Sequence, residues 1–156
     1  MIPSRVNTIG HSAFDRCENL MSVSFCENSQ LRSLGEYAFA GCSSLVDIKI
    51  PNGITIIERY TFDSCGFASF EIPNSVIAIK SHAFGGCSYL VDIFIPNSVR
   101  EINYCSFGSC VGLTMIEIGE NVVDIEENAF YECTKLYRII NNSDLVLTIG
   151  GEDNGK

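Results

Sequence analysis

Positive charge is scarce in this chain: 10 Lys and Arg stand against 19 Asp and Glu in 156 residues, a formal net charge of -9. A surface that acidic repels phosphate backbones and anionic membranes, which argues against nucleic acid as a partner. Long apolar runs are missing as well. Nothing approaches the ~20 residues that span a bilayer, so no membrane insertion is expected, and Met1-Ile2-Pro3-Ser4 has neither the positive region nor the apolar stretch of a secretory signal. There is no Cys-x-x-Cys pair, the two His do not sit at ligand spacing, and no Gly-rich phosphate loop follows an apolar run. Neither a metal nor a cofactor is therefore expected.

What the chain does have is a repeat. An aromatic followed three residues later by cysteine occurs as Phe14/Cys17, Phe39/Cys42, Phe62/Cys65, Phe84/Cys87, Phe107/Cys110 and Phe130/Cys133, with the phenylalanines 25, 23, 22, 23 and 23 residues apart. That interval belongs to a solenoid, in which each coil contacts only its neighbours. With 46% of residues hydrophobic, a continuous core can be buried along the stack.

Five residues before each Phe stands Ile9, Leu34, Ile57, Ile79, Ile102 or Ile125, and eight before it Val6, Leu31, Ile54, Val76, Val99 or Val122. After each Cys comes Leu20, Leu45, Leu90, Leu113 or Leu136, with Phe67 in the shortened third repeat, followed by an alternating pair such as Ile48/Ile50 or Ile93/Ile95. This reads as one short strand per coil. A proline lacking an N–H ends the strand, as Pro51 does after Ile50, and Asn52-Gly53 turns the chain. Ile54 and Ile57 give the return side an apolar edge, and Tyr60 to Cys65 is expected to make a tight helical turn that inserts Phe62. Cys26-Glu27-Asn28-Ser29-Gln30 carries two extra residues and predicts a bulging loop.

Cysteines at one fixed place per repeat should line an inward column as free thiols, small and hydrophobic, rather than form a disulfide framework. Cys26 and Cys105 fall outside that column. Residues 1–150 are expected to be one solenoid domain, with Val146 and Ile149 starting a partial seventh repeat and 151–156 a frayed tail. Ile2-Pro3 occupies the place of Ile50-Pro51, Ile72-Pro73 and Ile95-Pro96, so the polypeptide is expected to begin in mid-repeat, as a piece of something longer.

Over residues 2 to 140 the pattern Ile-Pro-Asn-Ser-Val…Ile…Ala-Phe…Cys…Leu…Ile…Ile resembles the BspA-like leucine-rich repeats, also called Treponema-pallidum-type. Thr61 and Ser106 for Ala, and Gly119 for Pro, depart from it in single coils. The resemblance implies an α/β, right-handed leucine-rich-repeat solenoid of about six coils, with a parallel sheet on its concave face. It also implies a surface or secreted, adhesin-like protein that binds host or cell-surface proteins, with no catalytic residues to carry over; a cytoplasmic location is the alternative.

Side chains between the inward strand residues point out of the concave face: Ser22/Ser24, Asp47/Lys49, Ser69/Glu71, Asp92/Phe94, Met115/Glu117 and Arg138/Ile140. They differ in every repeat while the inward positions do not. The candidate protein-binding residues are Asp47, Lys49, Glu71, Asp92, Phe94, Met115, Glu117, Arg138 and Ile140, with Phe94, Met115 and Ile140 expected to form an apolar patch. Enzyme chemistry fails on placement. His11 and His82 lie on the outer turn, away from inward thiols, and Asp124, Glu126 and Glu127 read as a solvated edge. Asn141-Asn142-Ser143 is a glycosylation sequon in form. Besides a binding module, the sequence also accommodates a structural spacer that self-associates through open solenoid ends.

Overall fold

The alternation after the cysteines translates into strands whose second and fourth members face inward. The computed structural model describes residues 1–146. Among them the strands are β1 (Thr8–Ile9), β2 (Ser22–Val23), β3 (Ser33–Leu34), β4 (Asp47–Ile48), β5 (Ile56–Ile57), β6 (Ala78–Ile79), β7 (Asp92–Ile95), β8 (Glu101–Ile102), β9 (Met115–Ile118), β10 (Asp124–Ile125) and β11 (Arg138–Asn141). In β7, Ile93 and Ile95 are buried while Asp92 and Phe94 are exposed, the expected phase. All pairing is parallel, and the register places Ile93 beside Ile116 and Ile116 beside Ile139.

Five of the six coils supply two strands where the sequence suggested one. The apolar edge on the return side is itself a sheet, β5-β6-β8-β10, with β1-β3 preceding it. Its pairing runs through Ile57, Ile79, Ile102 and Ile125. The concave sheet is not continuous. It divides into β2-β4 and β7-β9-β11, and the third coil contributes only an isolated bridge, Ser69 to Asp92. This is the coil one residue short, where Phe67 takes the place of leucine. That ring is buried at 6.0 Å and 71° to Phe62 and 5.0 Å from Phe70, so the segment follows aromatic packing rather than strand geometry.

The expected helical turns are absent: no described residue is helical, and the architecture is β rather than α/β. The backbone shows why. From Tyr37 to Cys42 alternate N–H groups point in different directions. Ala38, Ala40 and Cys42 donate to Gly35, Tyr37 and Phe39 within the turn, at 3.1, 3.2 and 3.2 Å, while Tyr37, Phe39 and Gly41 donate to Arg59, Thr61 and Asp63 of the next coil, at 3.1, 2.9 and 2.8 Å. An α-helix keeps every such bond internal. Residues two before and two after each Phe also adopt left-handed φ, as Tyr37 (58°) and Gly41 (68°) do, which no right-handed helix contains.

This corner drives the phenylalanines into one column. Phe14, Phe39, Phe62, Phe84, Phe107 and Phe130 stack with centroids 5.2 to 5.7 Å apart, a distance at which near-parallel rings are offset. The middle four are fully buried and the end two are partly covered. The extra residues after Phe25 form the expected loop, closed by Ser29 N–H donating to the Cys26 carbonyl at 3.0 Å and anchored by Gln30 N–H on the Ser4 carbonyl at 2.9 Å.

Phe84→Ala is expected to cost about 3–5 kcal/mol, because it empties the middle of the column, whereas Lys49→Ala is expected to cost under about 0.5 kcal/mol. Urea melts of the two variants check this; equal midpoints would mean that the phenylalanine column is not the main packing element.

Candidate protein-binding face

Two columns of outward side chains run along the concave strands. Register makes Asp92, Met115 and Arg138 neighbours in one, and Phe94, Glu117 and Ile140 neighbours in the other. Asp47 continues the first toward Ser22. Lys49 and Glu71 belong to the second and form an exposed ion pair at 3.1 Å. The break at the third coil thus separates Asp47 and Lys49 from Asp92, Phe94, Met115, Glu117, Arg138 and Ile140.

Phe94 is 52% exposed, the most solvent-accessible large apolar side chain on an outward concave position. Met115 and Ile140 are half-buried. The expected patch is looser than the sequence suggested: Glu117 stands between Phe94 and Ile140, and Met115 meets Phe94 only diagonally. Asn142 donates through Nδ2 to Glu117 at 3.1 Å.

Between the first three coils lies a groove of about 1010 Å³, lined among others by Glu27, Arg32, Asp47, Lys49, Pro51 and Glu71. The inserted loop forms one wall. Gly53 lets the turn of its coil lie close against the coil before it, because a Cβ there would run into the Leu31 carbonyl and Arg32 Nη1. Later repeats carry Ser75 and Ser98 at this place. The insertion at Cys26-Glu27-Asn28-Ser29-Gln30, which supplies Cys26, Glu27 and Ser29 to the lining, was the available signal for the groove.

The outer turn holds an aromatic ladder that the repeat pattern did not announce. Tyr37 and Tyr60 stack at 4.6 Å, as do Tyr60 and His82, with His11 and Tyr104 meeting the ends edge-on at 5.6 and 5.7 Å. Cys105 shares the place of Tyr37, Tyr60 and His82, two before the Phe, with φ 50°. Cys26 lies half-buried in the inserted loop. The acidic edge also has a structural use: Glu126 accepts from Asn103 Nδ2 at 2.9 Å and from Tyr104 N–H at 2.7 Å. In the sequon, Asn141 Oδ1 accepts from Ser143 N–H and Oγ–H, and its Nδ2 donates to the Leu145 carbonyl. Among the described residues no helix is long and apolar enough to cross a membrane. Ile149 and the tail lie outside the described residues.

The stacked two-strand coils, the Phe-Cys corner and the free outward columns are those of a leucine-rich-repeat solenoid of about six turns. The family model of the BspA type leucine rich repeat region matches residues 1–67 and 55–152, in 6 copies. The chain belongs to this family. Among solved structures, the T. pallidum leucine rich repeat protein TpLRR is similar with a TM-score of 0.76 at 28% identity, over 89% of this chain and 64% of that one. A leucine-rich repeat protein from Bacteroides ovatus shares the fold with a TM-score of 0.63 at 23% identity, over 90% of this chain and 45% of that one. This chain thus spans less than two thirds of the length of either. No curated protein sequence matches it.

The cysteine column is the one part of this pattern with latent reactivity, and its geometry holds that reactivity down except at Cys17, which was expected to face inward but is exposed in the first coil. All eight cysteines are free. The thiols of Cys42, Cys65, Cys87, Cys110 and Cys133 donate to the carbonyls of Phe14, Phe39, Phe62, Phe84 and Phe107, at 3.1 to 3.2 Å. No imidazole reaches them, since both histidines belong to the outer ladder. Burial pushes Cys87 up to about 12 and Cys42 up to about 11 from an ordinary 9.0, and it raises Cys65 too. A folded thiol that keeps its proton to higher pH than the unfolded one contributes stability that is complete below pH about 9 and declines as the pH rises toward 12. Unfolding free energies from urea melts are therefore expected to hold up to pH about 9 and to fall from there to pH 10.5, by on the order of 1 kcal/mol per pH unit for each fully buried thiol, and less steeply in Cys87→Ala. Identical slopes for the two proteins, or rapid labelling of all thiols in native protein, would show the column to be accessible.

Proposed function

We propose that this chain is a protein-binding module that engages its partner through the concave face, using Asp47, Lys49, Glu71, Asp92, Phe94, Met115, Glu117, Arg138 and Ile140. The observation that carries the reading is Phe94, a large aromatic side chain 52% exposed at a position the fold leaves free. A ring on an open sheet costs hydration and returns nothing to folding, while a buried aromatic anchor commonly contributes 2 kcal/mol or more to an interface. The family resemblance and the residues around Phe94 support a partner that is a protein, and the net charge of -9 disfavours nucleic acid. On this reading residues 1–150 are one solenoid domain of a cell-surface or secreted, adhesin-like protein, acting by binding and not by catalysis.

A spacer or self-assembling segment is the second reading. The two readings separate on one variant. Phe94→Ala is expected to leave the melting midpoint unchanged and to weaken saturable binding to a panel of immobilised secreted and matrix proteins tenfold or more, about 1.4 kcal/mol. Unchanged binding would move the site off the concave face, to Arg100, Glu101 and Asp124 on the outer edge. Concentration-dependent mass in the absence of any ligand would favour assembly.

A further inference from the structure

Phe94 does not stand alone on its sheet. Asp92 lies two residues before it on the same face of β7, and Glu117 is its direct register partner on β9. Directly paired side chains have Cβ atoms about 4.5–5.5 Å apart, and same-face neighbours on one strand about 6.6 Å. One exposed ring is thus bordered by carboxylates on two sides. The ion pairs among the described residues are Lys49 with Glu71 and Lys80 with Glu101, so neither Asp92 nor Glu117 is neutralised by a base. Glu117 takes one hydrogen bond, at Oε1, from Asn142. Arg138 is the nearest basic residue along the outward columns, next to Met115, diagonal to Glu117 and two coils beyond Asp92.

This surface combines an aromatic face, which attracts a cation through the ring quadrupole, with two carboxylates that accept charge-assisted hydrogen bonds. The carboxylates stem from diagonal positions, whose Cβ atoms lie somewhat under about 7–8 Å apart, and among the described residues no group of three or more His, Cys, Asp or Glu could hold a metal ion. A planar cation with donors along adjacent edges can lie over the ring and reach both. Arginine has that shape: its guanidinium is a fork of donors, stacks on aromatic faces and is more weakly hydrated than an ammonium, whereas lysine is a compact, strongly hydrated point charge. Resting on the proposed use of the concave face, we infer that the partner inserts an arginine side chain over Phe94, between Asp92 and Glu117, from a basic extended segment of its chain.

The test uses the whole chain labelled with nitrogen-15 and two synthetic Gly-Ser peptides of equal length, one carrying three arginines and the other three lysines. The arginine peptide is expected to shift the amides of Phe94, Met115 and Glu117 and to bind at least tenfold more tightly than the lysine peptide. Tenfold loss is expected in Phe94→Leu, which keeps apolar bulk without the ring, and in Asp92→Asn/Glu117→Gln, each with an unchanged urea midpoint. Glu18→Gln/Glu120→Gln removes the same charge from elsewhere and is expected to bind as the parent does. Equal binding of both peptides, equal loss in the control variant, or shifts centred on other strands would reduce the effect to bulk charge and overturn the inference. Failure of the peptide together with tenfold loss of protein binding in Phe94→Ala would overturn the arginine contact alone and leave the concave-face reading standing.

Discussion

Successive coils are joined at the phenylalanine carbonyl. In the coils of Phe14, Phe39, Phe84 and Phe107 it accepts the N–H of its own coil's cysteine, at 3.1 to 3.4 Å, and the thiol of the next coil's cysteine, at 3.1 to 3.2 Å. One acceptor thereby closes the corner and registers the neighbour. Cysteine suits the place because it is small and apolar enough for the core yet carries a weak donor. The stacked ring beneath leaves room for little more. With corner and ring aligned, the strands on both sides of the coil fall into parallel register without any loop specifying it.

The corner has a conformational cost that its neighbours offset. Twelve positions, two per coil, take left-handed φ, and only Gly41, Gly86 and Asn128 are residue types that do so readily. For the others the cost is of order 1 kcal/mol each. It is met by the N–H groups that such a backbone aims across the coil boundary, as Tyr37, Phe39 and Gly41 aim at Arg59, Thr61 and Asp63. A single coil has no such acceptors, so stability belongs to the stack. The outer ladder follows from the same geometry: side chains two before each Phe leave the corner in parallel, and where they are aromatic, as at Tyr37, Tyr60 and His82, they stack.

Strand phase was legible because period two survives even a four-residue strand: Ile93 and Ile95 had to share a face, which sent Asp92 and Phe94 to the other. The corner was misread as helical because tyrosine, histidine and glutamate at left-handed φ leave no compositional trace, while Ala-Phe-x-x-Cys looks like a helical turn. Two-residue strands such as Thr8–Ile9 are too short to show alternation, so the return sheet appeared only as a row of aliphatics. At the site, the outward residues were readable one coil at a time. Their grouping was not, because it depends on where the third coil, filled by Phe67 and Phe70, drops out of the concave sheet.

That interruption gives the two halves of the concave face different electrostatics. In the first, Lys49 and Glu71 satisfy each other while both remain largely exposed. Such a pair adds at most about 1 kcal/mol to stability, and its larger effect is to leave little net charge for a partner to meet. In the second, Asp92 and Glu117 flank Phe94 with no base among the described residues paired to them, and the apolar surface and the uncancelled charge coincide. Neither property is required by the corner, the stacked rings or the inward aliphatics, all of which would form as well with serines at these positions, as Ser22 and Ser24 demonstrate in the first coil. The second half is where the chain carries side chains that folding does not need, and recognition is the use to which such side chains can be put.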